Sequence, residues 1–420
     1  MTDKQKTVFT QNFSGPLIFH YVWWVLYEAQ KRGLDTLYFL ARDGYILCEM
    51  AKLFCKKFSF PIECRYLYCS RASLRMPTYH FIGDEADKLL LLGGYRVTPA
   101  SLLKRAQLDK NERIEVYTDC CLTYPDEEKI LNRFEQDQLR AALKESNVFH
   151  KFVNEKSKNT YLPTIRYLQQ EGLFEQSKVV LVDSGWTGSM QRSLRQLLQS
   201  AGFSGELIGF YFGMYAVPKE TSDGTYLTWQ FDHTGPIGDK ILFCNNLFEC
   251  LLSAPHGMTL CYEKDNEKYV PVLLSCQKEK ELLFIRQYIK NILEYSKMRL
   301  NQIDFFSFNA KQLKKDTHNR IARYMAHPTK EEVCYLGKFL FCDDVTEAYH
   351  FALANQNQVD SLRSYSIPAR IFRRIVKRPL NTPQPELFWT YGTISFLPKW
   401  KQPWYRWNVY IWEWLRYVLH

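Results

Sequence analysis

The stretch Ser177–Leu198, with the sequence SKVVLVDSGWTGSMQRSLRQLL, decides the fold of this chain. Its first half is rich in valine and predicts a buried strand that ends at Asp183. Its second half has leucines at positions 194, 197 and 198, which is the spacing of a helix. The turn predicted between strand and helix consists of Ser184, Gly185, Trp186, Thr187, Gly188 and Ser189. A strand, a turn rich in small residues and a helix in this order are typical of α/β proteins.

This order of elements is also typical of phosphate-binding turns. Glycines let the backbone approach a ligand closely, amide N–H groups point into the turn, and the helix N-terminus carries partial positive charge. A carboxylate at Asp183 is suited to accept hydrogen bonds from sugar hydroxyls or to hold a metal ion. We therefore expect a phosphorylated sugar as the ligand. An ordinary strand-to-helix connection that binds nothing is the alternative interpretation.

A second unit of the same kind lies at Asp35–Phe54, with the sequence DTLYFLARDGYILCEMAKLF. Thr36–Leu40 predicts a buried strand, Arg42, Asp43 and Gly44 a turn, and the following apolar residues a helix. Two such units predict a parallel sheet whose ligand lies at the carboxyl ends of the strands. Arginine beside aspartate at such a turn is suited to bind a diphosphate together with hydroxyls or a cation. A surface Arg–Asp pair that caps the helix is the alternative.

The remaining segments extend this plan. Cys64–Ser70 and Gly205–Tyr215 predict further strands, and the first of these is followed by Arg71. Residues from about 80 to 170 show helical periodicity with charged surfaces and little strand pattern, which predicts a helical insertion. The sequence therefore favours one α/β domain over residues 1–359 with a parallel-sheet, Rossmann-like core.

Composition limits the class of protein. The chain has 420 residues, of which 46% are hydrophobic and 24% charged, as in an ordinary globular protein. Its twelve cysteines form no C-x-x-C or His/Cys ligand pattern, so we expect reduced thiols in a cytoplasmic protein. No secretory signal is evident, and no run reaches the roughly 18 apolar residues of a membrane-spanning helix.

The segment 360–420 differs from the rest in charge and aromatic content. It holds ten Lys and Arg residues against three acidic residues, and six of the ten tryptophans. Such a basic, Trp-rich tail is suited to the surface of an anionic membrane, which predicts peripheral contact with the inner face of the cytoplasmic membrane. A helical tail that packs its tryptophans on the main domain is the alternative. Nucleic acid is not expected as a partner, because no recognition module accompanies the charge.

Three segments together resemble a known family. They are GPLIFHYVWWVLYEAQKRGLDTLYFLARDGYIL from Gly15, LVDSGWTGSMQ from Leu181 and FECLLSAPHGMTLCY from Phe248. The combination resembles a region often labelled haloacid dehalogenase-like in bacterial polysaccharide gene clusters. It is more closely similar to the glycan phosphoribosyltransferase module of dual-domain ribofuranosyltransferases. That module transfers phosphoribose from 5-phosphoribosyl-1-diphosphate to a growing glycan, and a separate phosphatase module removes the 5-phosphate.

The resemblance implies a phosphoribosyltransferase-like fold and a role for particular residues. It places Arg42, Asp43 and Gly44 at the diphosphate of the donor, and the loop with Asp183, Gly185 and Gly188 around the 5-phosphate and ribose. Glu249 and His256 match the third motif and are expected to line the site. Mg²⁺ bound to the diphosphate is the expected cofactor, with Asp183 as a candidate ligand and Arg71 as a further diphosphate contact. Asp43 and Glu249 are candidates for the general base that activates the hydroxyl of a glycan acceptor, either free or lipid-linked.

The chain departs from the related families at two points. Phosphoribosyltransferases in general have two adjacent acids before their Thr-Gly loop, whereas Asp183 is followed here by Ser184. No Asp-x-Asp-x-Thr phosphatase signature precedes residue 15, so we expect a separate phosphatase or retention of the 5-phosphate. Two other functions remain open: a dehalogenase-type phosphatase with Asp43 as nucleophile, and a non-catalytic scaffold of a polysaccharide assembly complex at the membrane surface.

Overall fold

The computed structural model describes residues 3–92, 96–123, 126–218, 224–274, 279–337, 339–342, 350–376 and 387–418. Its largest sheet has five strands: β1 (Thr36–Leu40), β2 (Glu63–Leu67), β3 (Lys178–Trp186), β4 (Glu206–Met214) and β5 (Gly224–Phe231). All neighbouring pairs are parallel, in the order β2-β1-β3-β4-β5. The predicted α/β class and parallel sheet are confirmed. Within the predicted basic tail, residues 377–386 and 419–420 lie outside the described residues.

Two small antiparallel sheets and a set of helices complete the described structure. The small sheets are β6 (Thr259–Asp265) with β7 (Lys268–Leu273), and β8 (Leu340–Phe341) with β9 (Phe351–Ala352). The α-helices are α1 (Asp3–Phe9), α2 (Gly15–Lys31), α3 (Gly44–Phe58), α4 (Arg71–Arg75), α5 (Glu85–Leu90), α6 (Pro99–Lys104), α7 (Lys110–Asp119), α8 (Arg133–Glu145), α9 (Asn147–Gln170), α10 (Ser189–Ser200), α11 (Ile237–Ile241), α12 (Asn245–Leu251), α13 (Glu279–Leu300), α14 (Ala310–Ile321), α15 (Lys330–Leu336), α16 (Ile367–Val376), α17 (Thr390–Ile394) and α18 (Gln402–Val418).

Helices cover both faces of the parallel sheet. Successive side chains of a strand point to opposite faces, so Leu37 and Phe39 of β1 join the hydrophobic core with α2 and α3. Tyr38 and Leu40 join a second core with α9 and α10. Burial on both faces explains why β1 is a continuous apolar run rather than an alternating one.

Helix α2 is buried on nearly every side, as expected for a helix that is apolar all round. Its Tyr21 hydroxyl lies within 2.7 Å of the carbonyl oxygen of Asp183 and 2.8 Å of that of Phe210. These contacts join α2 to the carboxyl-terminal halves of β3 and β4. The helix thereby supports the backbone that carries the candidate site.

The sheet differs from the sequence prediction in two places. The strand expected to end at Asp183 continues through Gly185 to Trp186, alongside Gly213 of β4. The two glycines are register partners, and a Cβ on Gly185 would lie 2.2 Å from the Gly213 carbonyl oxygen. Only glycine permits so close an approach, which keeps the two strands paired beyond the predicted end. Strand β5 was not predicted, because this edge strand is only half-buried over most of its length.

The segment predicted as a helical insertion contains α5 to α9 and no strand among its described residues. These helices share a hydrophobic cluster of their own, which includes Leu102, Val116, Leu139 and Phe149. The cluster explains how the segment folds beside the sheet without contributing to it. Its assignment as an insertion within one domain remains a prediction.

Two helices of the basic tail, α17 and α18, are packed on the rest of the chain. Trp389 just before α17 is buried, and its indole N–H donates a hydrogen bond of 2.7 Å to the Met325 carbonyl oxygen. Across the described ranges, no helix has the combination of length and apolar character that crossing a membrane requires.

Candidate functional site

The strand order places the candidate site. From β1 the chain proceeds to β2 on one side and later returns to β3 on the other, so the strand order reverses between β1 and β3. Ligands of such sheets bind at this reversal, beyond the carboxyl ends of the strands. Asp43 follows β1, and Asp183 lies near the end of β3. A cavity of about 330 Å³ opens between them.

The cavity brings together most of the residues that the sequence predicted. Those that line it are Arg42, Asp43, Arg71, Asp183, Ser184, Gly185, Trp186, Thr187, Ser189 and Glu249. They come from four separate regions of the chain. The expected proximity of the Arg42 and Asp183 turns is therefore confirmed.

Two of the predicted glycines, Gly44 and Gly188, do not line the cavity but determine the conformation of the two turns. Gly44 begins α3, and a Cβ there would lie 2.6 Å from the carbonyl carbon of Phe39. Gly188 precedes α10 with a φ of +65°, and a Cβ there would lie 2.6 Å from the Tyr226 ring. Both positions need a residue without a side chain, so their contribution to binding is indirect.

His256 does not line this cavity, contrary to the expectation from the sequence. Its Nδ1–H donates to the Gly257 carbonyl oxygen at 2.8 Å, and its Nε2 accepts from the Tyr66 hydroxyl at 2.7 Å. The ring also contacts the rings of Tyr45 and Tyr68. Both nitrogens are thus used within an aromatic cluster beside β2, which orients the loop after α12.

Asp43 and Ser184 connect the two central strands. The Ser184 hydroxyl donates a hydrogen bond to the Asp43 carboxylate. Burial raises the pKa of Asp43, while this hydrogen bond and the charges of Arg42 and Arg71 act in the opposite direction. Ser184 therefore orients the carboxyl group of the other turn.

Asp183 lies where negative charge is strongly disfavoured. Burial raises its pKa well above the ordinary value, and the charges of Asp43 and Glu249 act in the same direction. The backbone amides of Ser184 and Gly185 oppose this effect. A cation or cationic ligand near three such carboxyl groups would favour their ionised forms.

Glu249 reaches the cavity from α12. The Trp186 indole N–H donates to its Oε1 at 2.6 Å. Burial, and next the charge of Asp43, raise the pKa of Glu249 to about 7, against the effect of Arg71 and the tryptophan hydrogen bond. A carboxyl group that titrates near neutral pH is suited to accept and return a proton.

The arginines supply the positive charge of the cavity. Arg42 belongs to the turn after β1, and Arg71 is the first residue of α4. Ser70 fixes the start of α4, since its hydroxyl accepts from the Ser73 amide at 3.1 Å and donates to the Thr259 carbonyl oxygen at 2.6 Å. Two guanidinium groups at one cavity are suited to bind a diphosphate or other polyanion.

Some lining residues were not anticipated from the sequence. They include Cys69, Ser70, Asn245, Asn246 and Met258. The sequence did contain a signal for two of them. Asn245 and Asn246 are adjacent polar residues at the start of α12, in a segment that is otherwise largely apolar. Asn246 also donates a hydrogen bond of 3.0 Å to the Phe388 carbonyl oxygen, which links the site to the tail.

A second, smaller cavity of about 80 Å³ adjoins the first. Arg42, Asp43 and Glu249 line both cavities. The rest of its lining mixes polar residues such as Glu281 and His350 with aromatic residues such as Phe284 and Phe341. Glu249 therefore lies where the two cavities meet.

The residues present fit a metal ion only in a limited way. Over the described ranges, no group of three or more His, Cys, Asp or Glu side chains is arranged to hold an ion. Asp43 and Asp183 nevertheless disfavour each other's ionised form, which a nearby cation would relieve. This arrangement fits Mg²⁺ that keeps most of its ligands from water and phosphate oxygens, as Mg²⁺ commonly does.

Comparison with models of known protein families gives no match for this chain, and no curated protein matches it. We therefore base the assignment of function on the cavity and its charges.

Proposed function

We propose that the protein is a glycosyltransferase that moves 5-phosphoribose from phosphoribosyl diphosphate to a glycan in surface polysaccharide biosynthesis. The observation that carries this proposal is the lining of one cavity at the carboxyl ends of β1 and β3. Two arginines, Arg42 and Arg71, and three carboxyl groups, those of Asp43, Asp183 and Glu249, meet there. A donor with phosphates at both ends and hydroxyls between them needs this mixture of charges.

The diphosphate of the donor is assigned to the arginine side of the cavity. Guanidinium groups form paired hydrogen bonds to phosphate oxygens and stabilise the charge that develops as diphosphate leaves. The 5-phosphate is assigned to the turn before α10, where Thr187 and Ser189 offer hydroxyls beside the N-terminus of a 12-residue helix. Holding both ends orients the anomeric carbon toward the acceptor.

The reaction is a displacement at the anomeric carbon of ribose. The bond from this carbon to the diphosphate oxygen breaks, a bond to the acceptor oxygen forms, and the hydroxyl proton passes to a carboxylate. Glu249 is the preferred base, since its pKa of about 7 leaves a substantial ionised fraction at neutral pH. Asp43, the other candidate, accepts a hydrogen bond from the Ser184 hydroxyl, and the charges of Arg42 and Arg71 act to lower its pKa. We therefore assign Asp43 to positioning the donor.

The acceptor is assigned to the smaller cavity. Glu249 lines both chambers, as a base between donor and acceptor must. Phe284 and Phe341 offer apolar surface of the kind on which sugar rings stack. Mg²⁺ bound to the donor would neutralise diphosphate oxygens, with Asp183 and Asp43 as the nearest carboxylates of the chain.

Asp183 provides the test of this proposal. Asp183→Ala and the isosteric Asp183→Asn should abolish diphosphate release from phosphoribosyl diphosphate in the presence of a glycan acceptor. Circular dichroism should show an unchanged fold, because only the side chain is altered and the Asp183 carbonyl oxygen still accepts from Tyr21. Asp137→Asn, at an exposed acid of α8, is the matched control and should release diphosphate at the original rate.

Calorimetric titration with phosphoribosyl diphosphate separates this function from the alternatives. We expect the unchanged chain to bind the donor. An active Asp183→Ala protein, or an unchanged chain without affinity for the donor, would contradict the proposal. Vesicle binding without donor binding would instead favour a membrane-surface scaffold.

One observation favours a second candidate, a dehalogenase-type phosphatase. The Asp43 carboxyl group lies at the carboxyl end of β1 and is oriented by the Ser184 hydroxyl, which suits a nucleophile. Tyr45 stands two residues further along, where that class has a second carboxylate. We therefore rank transfer above hydrolysis. Rapid Mg²⁺-dependent hydrolysis of a simple phosphomonoester, lost in Asp43→Asn, would reverse this ranking.

A further inference from the structure

Helix α18 has one face packed on the protein and one face exposed. On the packed face Asn408 and Val409 are buried, and the Asn408 side-chain oxygen accepts from the Ile367 amide at 3.0 Å. The Arg406 guanidinium donates to the Ala326 carbonyl oxygen. The Arg370 guanidinium lies 4.6 Å from the centre of the Trp412 ring. These contacts fix the rotation of the helix about its axis.

The exposed face carries a stripe of tryptophans. Trp404, Trp407 and Trp414 are 50%, 59% and 42% exposed, and Ile411 and Val418 continue the spacing of three and four residues. Residues at this spacing lie along one side of a helix. Large apolar side chains aligned in this way on a fixed helix mark an interaction surface rather than scattered exposure.

Positive charge accompanies the stripe. Lys399 and Lys401 precede the helix and are exposed, and Lys401 lies over the ring of Trp400, which is itself 77% exposed. Arg416 is also exposed and is paired with Glu413 on the same helix. Tryptophan at the level of the headgroups and lysine beside acidic lipids are the two features by which amphipathic helices bind membrane surfaces.

We propose that the Trp404–Val418 stripe of α18 docks the protein on the surface of an anionic lipid bilayer. Charge argues against a second copy of the chain as the occupant, because the tail carries ten Lys and Arg residues against three acids and would repel itself. Anionic headgroups neutralise the same charge while the indole rings enter the boundary between headgroups and acyl chains. This inference does not depend on the proposed transfer reaction.

The tail that carries α18 also contacts the candidate site. The carbonyl oxygen of Phe388, just before α17, accepts hydrogen bonds from Asn246 and from the Cys244 thiol at the start of α12. Asn246 lines the larger cavity. A membrane-docked tail is therefore attached directly to the helix that carries Glu249, which suits an acceptor held on a lipid.

Vesicle co-sedimentation of the full chain tests the proposal. We expect binding to vesicles in which phosphatidylglycerol is about one third of the lipid, weak binding to phosphatidylcholine alone, and loss of binding at high salt. The triple variant Trp404→Ser, Trp407→Ser, Trp414→Ser should bind roughly tenfold less tightly or worse. The double variant Lys399→Glu, Lys401→Glu should also bind the anionic vesicles less tightly than the unchanged chain, and the difference should be largest at low salt.

A matched control removes equally exposed rings elsewhere. Phe134 and Phe306 are 70% and 73% exposed, and the double variant Phe134→Ser, Phe306→Ser should bind vesicles as the unchanged chain does. No sedimentation of the unchanged chain with anionic vesicles, or equal sedimentation of the triple tryptophan variant, would overturn the proposal. So would an ultracentrifugation result in which the unchanged chain is a dimer that the triple variant converts to monomer, since a second copy would then cover the stripe.

Discussion

Glu249 shows how one residue joins function to stability. Its ordinary pKa of 4.5 is raised to about 7, first by burial and then by the charge of Asp43. In that interval the folded chain binds the proton more tightly than the unfolded chain does. The free energy of unfolding therefore falls as pH rises from 4.5 to about 7. The ionised form that is suited to act as a base is the form that destabilises the fold.

Glu249→Gln should separate these two effects. The amide keeps the acceptor for the Trp186 indole but removes the ionisation. At pH 8 we expect the variant to be more stable than the unchanged chain by about 3 kcal/mol, and at pH 5 by less than about 1 kcal/mol. Transfer activity should be lost at both pH values. Urea unfolding and diphosphate release measure the two quantities.

Glu267→Gln, at an exposed glutamate in the turn between β6 and β7, is the control and should change neither quantity. A stability difference of the same size at pH 5 and pH 8 would show that ionisation of Glu249 is not the cause. Unchanged transfer by Glu249→Gln would exclude it as the base.

At the scale of elements, the turn between β3 and α10 depends on Gly188. Its φ of +65° is left-handed, and the surrounding side chains leave no space for a Cβ. Gly33 has nearly the same φ of +62°, but nothing lies within 4 Å of its Cβ position. A substitution at Gly33 therefore tests the cost of the left-handed backbone alone, whereas a substitution at Gly188 adds the cost of steric crowding.

Gly33→Ala should cost about 1 kcal/mol of the free energy of unfolding, because alanine adopts the left-handed region less readily. Gly188→Ala should cost an additional amount of about 1–3 kcal/mol, because the Tyr226 ring must move. It should also weaken donor binding, since Thr187 and Ser189 lie on either side. Urea unfolding and calorimetry measure these effects, and equal costs at the two positions would contradict the crowding argument.

Elements with strong local patterns were predicted closely. The strand at Thr36–Leu40 matches its predicted bounds, because a continuous apolar run is a local feature. The end of β3 was predicted three residues too early. Its extension to Trp186 depends on pairing with a strand more than 20 residues away, which no local pattern contains.

At the scale of the whole molecule, His20 links α2 to a distant helix. Its Nδ1 lies 3.1 Å from the Thr317 hydroxyl oxygen and 3.8 Å from an oxygen of Asp316. Burial lowers the pKa of His20 from 6.5 to about 4, although the charge of Asp316 opposes the shift. The unfolded chain therefore binds the proton more tightly between pH 4 and 6.5. This contribution makes the free energy of unfolding rise with pH in that interval.

His20→Gln should flatten this part of the stability profile. We expect the slope of the free energy of unfolding between pH 4 and 6.5 to be smaller than in the unchanged chain, because glutamine does not titrate. His233→Gln, at an exposed histidine, should leave the slope unchanged. Urea unfolding across the interval measures the slope, and identical slopes in the unchanged chain and His20→Gln would contradict a neutral, buried His20.

The sequence by itself determined the two strand–turn–helix units, the acids and arginines at their turns, and the basic, Trp-rich tail. These follow from residue type and spacing over short distances. Only the tertiary structure decided that Glu249 and Arg71 meet Asp43 and Asp183, that His256 lies apart in an aromatic cluster, and which tryptophans of α18 are exposed. Strand order and helix packing bring together residues more than 200 positions apart, and local periodicity contains no information on either.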